Sequence, residues 1–194
     1  MMSRTSVRNL AIAAVAFLSL AALSAASARS DVPAPTQPAA AGAGTIRILP
    51  SPAFVGEGGT VTVEVWLEDV SNYYGLEMRL YFDTSRLRVG AGKVTPLWEV
   101  FDEDNHFTIK NQADNSAGVI QYALTNMNPA EPFTGTGRVC SITFTGMSSG
   151  AAVLDFFYVK GSTRDGDELY PAPMDGSVVV GSMYRSHLPV VVLQ

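Results

Sequence analysis

Eight consecutive residues, Gly75 to Phe82, constrain what this chain can fold into more than any other stretch. In GLEMRLYF the even positions Leu76, Met78, Leu80 and Phe82 are large and apolar, while the odd positions Glu77, Arg79 and Tyr81 are charged or amphipathic. Alternation with a period of two sends successive side chains to opposite faces of an extended strand, one toward a core and one toward water. The apolar face is explained by burial. The question left by the other face is whether it is ordinary solvated surface or a place where a partner docks.

The same pattern recurs. In TVTVEVWLE, Val61, Val63, Val65 and Leu67 share one face, and Thr60, Thr62, Glu64, Trp66 and Glu68 share the other. Short alternating runs, broken by Gly, Pro, Asn and Asp clusters, predict strands near 45–49, 60–68, 74–82, 86–90, 107–110, 118–125, 138–146, 151–159 and 175–181. No segment carries a sustained helical period with caps, and no internal repeat is visible. Nine short strands in one chain predict an all-β fold, with two antiparallel sheets packed face to face as a β-sandwich, or a jelly roll.

The N-terminus predicts export. Arg4 and Arg8 precede the apolar run Leu10–Ala25, and small residues follow at Ala26–Ala28. Charge, apolar run and small-residue exit, in that order, make a secretory signal peptide over residues 1–28. The run borders on spanning length, but its small residues and A-x-A exit favour cleavage, so no membrane span is expected afterwards. Cleavage after Ala28 leaves 194 − 28 = 166 residues, enough for one domain with a full core. It also takes the formal charge from −5 to 11 − 18 = −7. An acidic chain with no basic stripe repels phosphate backbones, so nucleic acid is not an expected partner.

Residues 29–44 are rich in Pro, Ala and Gly and predict an extended linker, leaving a domain over 45–181. Residues 182–194 form a tail whose apolar run, Leu188–Leu193, is too short to cross a bilayer. That tail suits surface attachment, an extra edge strand or a disordered end equally. The protein is expected to be extracellular, either free or attached to a cell surface. The single cysteine, Cys140, allows no internal disulfide; it shares parity with Ile142 and Phe144 and predicts a buried thiol, not a nucleophile.

The runs TVTVEVWLEDV, YGLEMRLYFDTSRLRV, GVIQYALTN, GRVCSITFTG and MDGSVVV together resemble a bacterial cohesin module, over roughly Thr45 to Gly181. The most specific segment is a strand ended by Asp83, a short turn, then Leu87 and Val89; Asp175–Gly176, entering the last strand, is the second match. Asp83 is placed to accept backbone N–H groups of its turn. Thr84 stands where the family usually has proline.

The resemblance implies a nine-stranded jelly roll that captures dockerin modules carried by other proteins, commonly enzymes that degrade polysaccharides. It places the contact on the outer side of the sheet holding the third, fifth, sixth and eighth strands. The matching outward residues are Glu77 on the third strand, Gln121, Ala123 and Thr125 on the sixth, and Asn126 just beyond it. Parity adds Arg79 and Tyr81, and Asp155 and Phe157 on the eighth strand if Leu154 and Phe156 fill the core. Tyr81, Phe157 and Ala123 form an apolar centre, ringed by Glu77, Arg79, Gln121, Asn126 and Asp155, the usual anatomy of a protein interface. Glu77 stands where many cohesins have the shorter Asp, and Asn126 where some have a carboxylate.

A carbohydrate-binding module for polysaccharide is the main alternative, and a structural surface protein with neither ligand is the other. Sugars stack on exposed rings, and Trp66, Tyr73, Tyr74, Trp98, Phe101 and Tyr170 are available, with Trp66 outward by alternation. No regular outward row of rings is visible. Clustered acids at Asp102–Asp104 and Asp165–Glu168 depart from a calcium-loop pattern, so no metal or cofactor is expected. There is no G-x-S-x-G elbow, no H-E-x-x-H and no Cys/His cluster of metal-binding spacing, which argues against an enzyme.

Overall fold

The computed structural model describes residues 43–181, all within one compact unit. The expected signal peptide over 1–28, nearly all of the expected linker and the expected tail over 182–194 lie outside the described residues. Those that are described form strands and turns, with no helix.

Two sheets face one another. The first runs β12 (Ala172–Met174), β1 (Thr45–Leu49), β3 (Thr60–Tyr73), β9 (Phe133–Gly146) and β5 (Leu87–Val89), with β6 (Thr95–Pro96) also paired to β9. The second runs β2 (Ala53–Gly56), β13 (Gly176–Gly181), β10 (Gly150–Ser162), β4 (Gly75–Phe82), β8 (Val119–Asn126) and β7 (His106–Asp114), with β11 (Glu168–Leu169) paired to β10. All nine expected strands are present. Four further segments, β2, β6, β11 and β12, are two to four residues long and too short to show a period in the sequence. Two of the pairings, β1 with β12 and β2 with β13, are parallel where a wholly antiparallel arrangement was expected; each involves one of these short strands.

The predicted inward positions close the core. Leu76, Met78, Leu80 and Phe82 of β4 are buried against Val63, Val65 and Leu67 of β3 and against Ile142 and Phe144 of β9. Phe82 meets Phe144 edge to face, with ring centroids 5.6 Å apart, across the two layers. Each such side chain contributes about 1.5–3 kcal/mol on burial. Cys140 lies fully inside, where burial pushes its thiol well above the ordinary cysteine range.

The motif turn also behaves as its chemistry dictates. Asp83 Oδ1 accepts the Ser85 amide at 2.9 Å, the Asp83 carbonyl accepts the Leu87 amide at 2.8 Å, and Leu87 and Val89 return to the core. Two residues placed in the linker belong to the folded body. Ala43 is fully buried, and Gly44 adopts φ 63° where a Cβ would lie 2.1 Å from the Glu68 carbonyl oxygen, so only glycine fits.

Candidate docking face

The outer side of β10, β4, β8 and β7 carries the predicted patch, because strand register stacks the outward positions in rows. Tyr81 lies opposite Asp155 on one side and Val119 on the other; Arg79 lies between Tyr158 and Gln121; Glu77 lies between Lys160 and Ala123. Lys110 and Gln112 of β7 extend the rows beyond Ala123 and Gln121. Tyr81 is 46% exposed and Phe157 51%, on neighbouring strands of one sheet. The two rings are therefore bare to solvent on the same layer.

Charges on this face are partly paired. Arg79 Nη2 donates to Glu77 Oε1 at 3.0 Å, and the Arg79 guanidinium sits 5.0 Å from the centre of the Tyr158 ring. Lys160 pairs with Glu168, which also accepts from the Tyr170 hydroxyl. These partners hold Lys160 above the ordinary lysine value and Glu168 below the ordinary carboxylate value. Asp155 goes the other way. Burial first, then the neighbouring Asp175 carboxylate, raises it above the usual aspartate value.

Two β-bulges shape the face. Phe157 is an extra residue in β10, between Phe156 opposite Leu80 and Tyr158 opposite Arg79; Ile109 is an extra residue in β7, between Thr108 and Lys110. A bulge re-aims side chains out of the plain alternation. Asp175 takes up the amide beside the first bulge, its Oδ1 accepting from Phe156 N at 2.9 Å. Between the bulged strands lies a hollow of about 530 Å³. Gly75, Ala123, Gly161 and Ser162 contribute small residues to its wall, and Ile109, Lys110, Gln121 and Lys160 also line it.

Two of the nine predicted contact residues are placed differently from expectation. Asn126 is buried at 3% exposure: as the last residue of β8 it has the inward parity of Ile120, Tyr122 and Leu124, and its Oδ1 accepts the Asp102 amide at 3.0 Å, tying the 102–105 loop to the strand. Ala123 is buried too, as part of the hollow and not as an exposed apolar centre. Glu77, Arg79, Tyr81, Gln121, Thr125, Asp155 and Phe157 share the outer face, although the Thr125 hydroxyl is turned to the backbone carbonyls of Tyr74 and Asn126. Sequence reasoning missed Phe107, Ile109 and Lys110 on β7 and Tyr158 and Lys160 on β10, all on this sheet. The only signal was HFTIK itself, two large apolar residues in a short strand with no buried counterpart.

The aromatic residues considered for sugar stacking scatter. Tyr73, Tyr74 and Phe101 are buried and unavailable. Trp98 stacks on His106 at 4.4 Å. Trp66 lies half-buried on the first sheet, its Nε1 donating to Glu64 at 3.2 Å and the Arg138 guanidinium 5.9 Å from its ring centre. Among the acids, Asp102 Oδ1 accepts the Asp104 and Asn105 amides, and these bonds draw Asp102 below the ordinary aspartate value. No described group of three or more His, Cys, Asp or Glu side chains is arranged to hold a metal ion.

No family profile matches the chain, and no curated protein matches it. Solved structures do. A chain of the type I cohesin–dockerin complex Coh-OlpC–Doc435 from Clostridium thermocellum aligns at 15% identity, covering 76% of this chain and 98% of that one, with a TM-score of 0.62. A type II cohesin domain from the cellulosome of Acetivibrio cellulolyticus aligns at 13% identity, over 69% and 94%, with a TM-score of 0.58. A non-cellulosomal cohesin from the archaeon Archaeoglobus fulgidus aligns at 16% identity, over 74% and 94%, with a TM-score of 0.58. The chain has a cohesin-like fold. No helix among the described residues is long and apolar enough to cross a membrane.

Proposed function

We propose that the protein is a secreted, non-catalytic receptor that captures dockerin-type modules of other proteins through the outer face of β10, β4, β8 and β7, within extracellular assemblies that act on polysaccharides. Several similar solved structures are cohesin–dockerin complexes, which supports a dockerin-type partner. The observation that carries the reading is the joint exposure of Tyr81 and Phe157 on one layer, with ion-paired and hydrogen-bonding side chains around them. Large aromatic anchors in a polar surround are the common form of a binding hot spot. Export rests on the N-terminal segment; N-terminal sequencing of protein recovered from the medium is expected to begin at Arg29, and an intact Met1 would remove it.

The test of capture replaces the two rings. Tyr81→Ala with Phe157→Ala is expected to reduce capture of modules bearing paired calcium loops by about a hundredfold or more, with the Tm nearly unchanged. Unaltered capture by the folded double variant would overturn the face assignment.

A further inference from the structure

We infer that the hollow beside Ile109 is a subsite for a carboxylate side chain of the docked partner, presented between apolar residues on a partner helix. This rests on the docking face proposed above and specifies the chemistry of one part of it.

The charge balance of the hollow points to the ligand. Its charged lining residues are Glu77, Arg79, Lys110 and Lys160. Glu77 is taken by Arg79 at 3.0 Å, and Lys160 by Glu168. Among the described residues Lys110 has no ion pair, although the chain as a whole is acidic at a formal −5. One cation is left over, exposed at the edge of a concavity. Opposite charge on a partner is what such a site discriminates for, and a like charge there is costly.

The shape points to how the carboxylate arrives. Gly75, Ala123, Gly161 and Ser162 present little bulk, so an incoming side chain has room. Ile109, 61% exposed, stands over one side because the bulge adds it to β7 without a partner on β8. Phe107 is exposed on the same strand, and its register with Thr125 places it on this outer side. An apolar wall next to an unpaired ammonium fits a residue pattern of Leu, then Glu, then Leu on one helix face, where neighbours lie three or four positions apart. The Gln121 side chain supplies a further hydrogen-bonding group at the wall.

The test uses the whole protein and two stapled helical peptides. One presents Glu between Leu residues one turn away on either side; the other has Lys in place of Glu. With 15N-labelled protein, the Glu peptide is expected to shift the amides of Ile109, Lys110, Gln121 and Ala123 and to bind about tenfold more tightly than the Lys peptide. Lys110→Glu is expected to invert that preference and Lys110→Gln to erase it. Equal binding of both peptides, no binding of either, shifts confined to the Trp66 face, or an unchanged preference in folded Lys110→Glu would each overturn the subsite. Capture of a dockerin module with no inversion removes the subsite and leaves the receptor. Inversion without capture of any dockerin module leaves the subsite and removes the dockerin reading.

Discussion

On the outside of the first sheet, ion pairs across β1, β3 and β9 take up Arg47, Glu64, Glu68 and Arg138; on the outside of the second, Lys110 has no ion pair among the described residues and apolar surface stays bare. Arg138 of β9 pairs with Glu64 of β3 at 3.1 Å and with Glu99, and it covers Trp66. Arg47 of β1 meets Glu68 of β3 at 3.3 Å, and the Thr62 and Thr143 hydroxyls bond at 2.9 Å. This lattice of short contacts across β1, β3 and β9 has little left to offer a partner. On the second sheet lie Phe54, Tyr81, Phe107, Ile109, Val153, Phe157 and Tyr158, which among the described residues are all the exposed large apolar side chains carried by a strand except Met174. Both faces obey the same alternation. Both also carry bulges, the first between Val65 and Trp66 among others, so what separates them is whether the outward side chains find partners across the strands, as Trp66, Glu64 and Arg138 do.

The contrast is broken most decisively by removing Tyr81 and Phe157, with the large loss of capture given above. The mirror experiment on the first sheet sharpens it. Trp66→Ala with Arg138→Ala is expected to leave capture unchanged while lowering the Tm by a few degrees, less so in high salt because these ion pairs are exposed. Loss of capture in calorimetrically folded protein would show that both faces bind.

The smallest expected effect is in the pH profile of stability. Asp83 is held below the ordinary aspartate value first by its bond from the Ser85 hydroxyl, Asp102 by the Asn105 amide, Asp114 by the Ala117 amide, and Glu99 below its own ordinary value by Arg138. Carboxyls of lowered pKa stabilise the fold above their unfolded values and lose that contribution as the pH falls through their folded values. Asp155 of the docking face is raised instead, so its charge costs stability near neutrality and the cost is relieved as the pH drops through its folded value. The Tm is expected to rise slightly on mild acidification and then fall below about pH 4, where unfolded carboxylates titrate. Asp155→Asn is expected to remove the rise and keep the fall. A rise that survives in the variant would place its source elsewhere.

Much of the fold was legible because its cause is local. The burial of Leu76, Met78, Leu80 and Phe82, of Val63, Val65 and Leu67, and of Cys140, Ile142 and Phe144 follows from two-residue periodicity. The Asp83 turn was legible for the same reason, since its carboxylate reaches only two residues ahead. The outward placement of the candidate face was legible in part: Glu77, Arg79, Tyr81 and Asp155 point outward as their parity predicts, whereas Phe157 is exposed as the extra residue of a bulge that parity does not show. Asn126 was misplaced because β8, expected to end at residue 125, runs on through it: it then shares the inward parity of Ile120, Tyr122 and Leu124, and its Oδ1 meets the Asp102 amide 24 residues away.

The order of residues, by itself, determined that this chain makes a two-layer β-sandwich and which side chains of the regular stretches of its long strands turn outward, because alternation is a property of consecutive residues. Only the tertiary structure decided which outward side chains stay open. Arg138 reaches Trp66 from another strand, Asp175 holds the Phe156 amide beside the bulge that exposes Phe157, and Ile109 becomes a wall only beside β8. Each outcome depends on partners that register brings together across tens of residues, and no short window of sequence contains both members of the pair.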